Sequence, residues 1–136
     1  MPADRAGSRS SKEGQRGSST VEFALLLPIL LLLLLALVQV GVIARDSLVL
    51  TQASRAGARE ASVQGTKDAV DEAVRAAAVG LDPDRISVIA TWSGARGAPV
   101  RVDVAYEAPV ASLLAGWLLP ASVSLRASAT MRQEFA

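Results

Sequence analysis

The chain contains no cysteine and no histidine. The first absence excludes disulfides, thiol catalysis and attachment of a lipid to an N-terminal cysteine. The second removes Ser-His-Asp and Cys-His constellations, and with the missing cysteines it removes the usual zinc ligands. A field of one charge is missing too. Fourteen Lys and Arg stand against thirteen Asp and Glu, so nothing supplies the basic surface that nucleic acids require. No group of residues is spaced for enzyme chemistry or for holding a cofactor.

What the chain has in excess is apolar. Hydrophobic residues make up 51% of its 136 positions, and the surplus sits in one block. Phe23 to Ala44 carries no charge, and Gln39 is its one strongly polar side chain. As a helix, these 22 residues would reach about 33 Å, against a bilayer hydrocarbon core of roughly 30 Å. That length fits a membrane span better than a soluble core helix.

Before the block, Arg5, Arg9, Lys12 and Arg16 outnumber Asp4 and Glu13. Just after it, Arg45 and Asp46 cancel. The positive-inside rule therefore places the N-terminus in the cytoplasm and the chain from Asp46 onward outside, with a single pass. Three fates of the N-terminus follow from the residues. An ordinary signal peptide would be cut after Val42-Ile43-Ala44, although the apolar run exceeds the usual length and the helical pattern continues beyond it. An uncleaved signal anchor would keep all of it. A type IV prepilin-like leader would be cut between Gly17 and Ser18, making Glu22 the fifth residue of the matured chain.

The position of Glu22 is physically specific. An ionised carboxylate at the bilayer centre costs on the order of 3 kcal/mol, less near an interface. In the first turn of a matured helix the macrodipole favours it. Cleavage would free the Ser18 amine as a cation, and positions 18 and 22 share a helix face. The amine of a neighbouring subunit could pair with Glu22 equally well and set the axial register of packed helices. Pro28 deletes a backbone hydrogen bond, so either a kink or a tolerated proline near the helix start is expected.

Beyond the block, the helical pattern runs to about Gln64. Arg45, Gln52, Arg55, Arg59 and Ser62 take one face, expected to be wet. Leu50, Ala53, Ser54, Gly57, Ala58 and Ala61 take the other, where small side chains let a sheet of the same subunit, or alternatively helices of other subunits, approach. Gly65 ends the helix and Thr66 can cap the next, over Lys67 to Val79, with Val70, Ala73, Val74, Ala77 and Leu81 as its apolar stripe. Gly80 and Asp82-Pro83-Asp84 make a turn with too few oxygen ligands for calcium. Ile86 to Trp92, the alternating Val100 to Tyr106, and Val123 to Met131 read as three antiparallel strands. Val110 to Leu119, between Pro109 and Pro120, is too short to cross a membrane. It reads as a helical face that covers the sheet or as an exposed patch that docks a pseudopilin or the membrane surface.

The expected fold is therefore α+β: a long N-terminal transmembrane helix continuing into a stalk, a second short helix and a small three-stranded antiparallel sheet. The segments are a leader (1–17), a span (18–44), a stalk (45–64) and an extracytoplasmic head (65–136). So small a head without disulfides must pack on the outer half of the long helix or on a partner.

Arg16-Gly17, Val21-Glu22-Phe23-Ala24-Leu25, Leu27-Pro28 and the leucines that follow resemble the TadE-like family, pseudopilins of tight-adherence (Flp-type) pilus systems. Gln52-Ala53-Ser54-Arg55-Ala56-Gly57-Ala58-Arg59-Glu60-Ala61 and Ala127-Ser128-Ala129-Thr130-Met131-Arg132 extend the resemblance. It implies a pilin-like fold and a minor component rather than the major fibre subunit. Gly17 would precede the prepilin-peptidase cut, Glu22 would be the pilin glutamate and Phe23 the aromatic that follows it. The implied partners are the prepilin peptidase, other pilins or pseudopilins, a membrane platform protein and a cytoplasmic secretion ATPase.

Overall fold

Leucine is among the strongest helix formers, and from Ser18 to Val40 no glycine interrupts the run. The computed structural model describes residues 11–94, 96–116 and 120–134, with side chains from residue 19 onward. In it the first helix, α1, spans Ser11–Val63 and continues through Pro28. The proline does not end the helix. The first ten residues of the expected leader lie outside the described residues.

The chain divides into two compact units, one ending at Val38 and one running from Gln39 to the C-terminus. In the first, the described side chains from Ser19 onward are almost all exposed. The second holds the core.

That core is built on the small-residue stripe of α1. Leu50, Ala53, Ser54, Gly57, Ala58 and Ala61 are all buried, as their spacing predicts. The second helix, α2, spans Lys67–Ala77 and buries Val70 and Val74. Three strands follow: β1 at Ile86–Trp92, β2 at Pro99–Pro109 and β3 at Ser122–Arg132. They form one antiparallel sheet in the order β1-β2-β3. Val102 of β2 lies opposite Ala90 on one side and Ala129 on the other, and Val104 lies opposite Val88 and Ala127. A two-residue period puts Val100, Val102, Val104 and Tyr106 on one face, and all four are buried. The matching face of β3, Leu125 to Met131, is only half-buried. The fold is α+β.

Two contacts tie strand ends to the end of α1. The Trp92 indole Nε1 donates to the Ala61 carbonyl at 3.2 Å. The Glu134 amide donates to the Ser62 carbonyl at 2.9 Å. They explain one correction. Ser62, expected on the wet face, is buried, because the chain leaving β3 closes over it. Its hydroxyl donates back to the Arg59 carbonyl at 2.7 Å.

Thr66 does stand at the N-cap of α2 but makes no side-chain cap bond. The helix ends at Ala77, two residues short of the expected Val79, and Val79 is exposed. Of the expected helical face over Val110 to Leu119, the described part, 110–116, forms no helix. Residues 112–114 form turns, Val110 and Leu114 are buried and Leu113 is exposed. Trp117, Leu118 and Leu119 lie outside the described residues.

Gly80 turns the chain out of α2 with φ +82°. A Cβ there would lie 2.8 Å from Arg45 Nη2, the far end of a flexible side chain that can move away. The backbone strain cannot be relieved in that way. Gly80→Ala is expected to cost about 1–2 kcal/mol, read as a fall of several degrees in the melting temperature of the detergent-solubilised protein.

Candidate functional site

The segment singled out by the sequence lies at the start of α1. Gly17 and Ser18 are inside the helix, and their side chains are outside the described ones. Glu22 and Phe23 are exposed. Because the helix is continuous, Ser18 and Glu22 stand one turn apart on one face. Glu22 is also the sole charged residue between Arg16 and Arg45. From Val21 to Val38 the large apolar side chains are exposed apart from a few that are half-buried.

α1 contains one stretch long and apolar enough to cross a membrane, and none of it is buried. The core helix of a soluble protein would be covered. At about 25 cal/mol per Å² of apolar surface, so much exposed leucine calls for lipid or other helices around it. One carboxylate at the head of such a surface is the chemistry this segment offers. A carboxylate in that place can pair with a cation.

Two further polar residues of α1 escaped the sequence reading. Gln39 was visible as the odd residue of the apolar block but had no assigned role. It is 8% exposed. Its Nε2 donates to the Pro109 carbonyl at 3.3 Å, and its Oε1 accepts from the Ala111 amide at 3.2 Å. The side chain is a two-point clip on the segment leaving β2. Gln39→Leu would orphan both backbone groups, at about 1–3 kcal/mol. A lowered unfolding midpoint in micelles, with unchanged helix content, checks it. Asp46, read from the sequence only as cancelling Arg45, is 5% exposed and lies 3.5 Å from the Arg45 guanidinium. The same guanidinium lies close to Gly80. Together they link α1 to the turn after α2. A strongly polar residue on the buried stripe of a helix was the available signal for both.

The outer face of the sheet is polar. Arg101 holds Asp103 through both carboxylate oxygens at 2.9–3.0 Å, beside Ser87, Arg126 and Ser128 in an open depression. The hydrogen bond from Arg101 lowers the carboxyl of Asp103 from its usual value against a smaller opposing effect of desolvation. A depressed carboxyl adds stability above its unfolded pKa and loses it as pH falls through the folded one. The pair is exposed, so the effect is small. Asp103→Asn and the parent should therefore melt nearly together at neutral pH and converge fully in acid.

On α2, Arg75 pairs with Asp71 at 2.6 Å and also donates to the Pro83 carbonyl. Asp82 accepts from the Asp84 amide at 3.1 Å, which closes the turn. Among the described residues no group of acidic side chains could hold a metal ion.

Residues 17–59 match the family model described as TadE-like protein. The match begins at the glycine expected to precede the cut. It takes in Glu22, Pro28 and Gln39, and it ends at Arg59 on the part of α1 that carries the core. No curated protein and no solved structure matches the chain. Residues 17–59 are thus similar to the TadE-like family, as the motifs of that segment led one to expect, and the resemblance read over Ala127 to Arg132 lies outside the match.

Proposed function

We propose that the protein is a minor pseudopilin that takes part in assembling a tight-adherence-type pilus or a related secretion machine. The observation that carries this reading is Glu22, the single charge between Arg16 and Arg45, at the head of an uncovered apolar stretch within the segment that matches the TadE-like family. Residues 1–17 are the cytoplasmic leader, 18–44 the membrane helix, 45–64 the stalk and 65–136 the extracytoplasmic head. A prepilin peptidase cuts after Gly17 and exposes the Ser18 amine. Glu22 then pairs with an amine, its own or a neighbour's, and the apolar helix passes from lipid into a bundle of similar helices. An unpaired carboxylate resists that transfer and a paired one favours it. The function is assembly rather than catalysis. The family resemblance supplies the platform protein and the cytoplasmic ATPase as partners.

N-terminal sequencing or intact mass of the membrane-extracted protein tests the reading. A chain beginning at Ser18 is expected. Retention of Met1 to Gly17 in cells that possess the peptidase would leave an uncleaved, membrane-anchored envelope protein instead. A chain beginning at Arg45 would mark an ordinary signal peptide.

A further inference from the structure

The two longest uncharged stretches of the chain are Phe23 to Ala44 and Ala108 to Leu125. The Gln39 side chain joins them, through Pro109 and Ala111. We infer that the segment around Leu113 dips into the outer leaflet beside α1 and takes lipid as its partner. This rests on the membrane-anchored reading above.

The depth follows from the helix. Gln39 lies five residues before Ala44, the last apolar position ahead of Arg45. At 1.5 Å per residue that is about 7.5 Å from Ala44 and about 9 Å on the apolar side of the first charge, Arg45. The headgroup region on each face of a bilayer is about 5–7 Å deep. Sixteen apolar residues precede Gln39 within the block and fill about 24 Å of a hydrocarbon core of roughly 30 Å. The clip on Pro109 and Ala111 is therefore at the level of the outer headgroup–acyl boundary.

The segment is built for that level. Val110 and Leu114 are buried and hold it to the core, while Leu113 is 71% exposed. Lipid tolerates backbone only where its polar groups are satisfied internally. The amide of Val110 donates to the Ala121 carbonyl, those of Leu114 and Ala115 to the Ala111 carbonyl, and that of Ala111 to Gln39. No charged residue lies between Glu107 and Arg126 to hold the stretch in water.

The absence of cysteine makes the test direct. Single-cysteine variants Leu113→Cys, Leu31→Cys and Ile89→Cys of the full chain are spin-labelled and reconstituted into phosphatidylethanolamine–phosphatidylglycerol vesicles. Accessibility to oxygen, which partitions into lipid, and to a water-soluble nickel chelate is then compared. All three parent side chains are exposed, so labelling leaves the core intact. The expected result is a lipid-like label at 31, a water-like one at 89, and at 113 a several-fold higher oxygen-to-nickel ratio than at 89. A lipid-like 31 with a water-like 113 overturns the proposal and leaves the anchor standing. A label at 113 shielded from both probes means a protein partner and also overturns it. Lipid-like labels at both 89 and 113 mean general adsorption of the head, which overturns it too. A water-like 31 removes the membrane anchor itself, and the proposal with it.

Discussion

Gly57→Leu is expected to abolish cooperative folding of the unit that begins at Gln39. A Cβ at position 57 would lie 2.5 Å from Val74 Cγ2 and 3.2 Å from Val102 Cγ1. Neither neighbour can swing aside, because valine has one strongly preferred rotamer in a helix and restricted freedom elsewhere. Both are also fully buried. Alanine already poses the conflict: overpacking costs about 1–3 kcal/mol, and higher helix propensity returns about 1 kcal/mol. Leucine adds three more carbons at the point where α1, α2 and β2 meet. Small domains have a total stability of only about 5–15 kcal/mol, and this one lies at the lower end of domain size. Near-ultraviolet circular dichroism and thermal melting in micelles read the outcome. The aromatic signal and the melting transition should vanish in Gly57→Leu and survive, weakened, in Gly57→Ala. A Gly57→Leu protein that melts within a few degrees of the parent would show that helix and sheet can move apart at little cost.

Glu22→Leu is expected to leave the protein in the membrane and stop it from assembling. Removing the carboxylate makes insertion easier, since charge in lipid is unfavourable. On the proposed function, the same change leaves the Ser18 amine without its partner when the helix enters a bundle. Stranding one member of a buried ion pair costs about 3–5 kcal/mol, which corresponds to about two to four orders of magnitude in the assembly equilibrium. Glu22→Gln keeps the size and the hydrogen bonds but not the charge, so it should fail nearly as badly. Membrane fractionation, mass of the matured chain and cross-linking to other pilins, measured together, separate the steps. Assembly at the parental level with Glu22→Leu, in membranes holding equal protein, would remove the role assigned to this residue.

The alternation in Val100, Val102, Val104 and Tyr106 made β2 legible, because a strand with one buried face writes a period of two into its sequence. The stripe from Leu50 to Ala61 was legible for the corresponding reason at helical period. Other features depended on what a distant segment does. Ser62 reads as part of a wet face until the chain beyond β3 folds over it. Asp46 reads as one half of a cancelling pair, and its burial shows only in the folded chain. The stretch from Val110 carries helical spacing but lies between two prolines, and its short hydrogen bonds close it into turns. At the candidate site, motif and charge single out Gly17, Ser18, Glu22 and Phe23, whose roles belong to the proposed function. Gln39 was visible as an anomaly, but its partners lie some seventy residues away in the chain, beyond the reach of any local pattern.

The clip at Gln39 has a consequence for how this protein can be divided. The natural place to cut it, by the look of its charges, is at Arg45, where the apolar block stops. A head expressed from that point, or grafted there onto another anchor, would lose the side chain that holds the segment leaving β2. The seam between anchor and head lies inside a single unbroken helix, several residues within what looks like anchor. Inheritance and engineering face the same rule: the last part of the anchor has to travel with the head, and a recombination at the charge boundary delivers a damaged one.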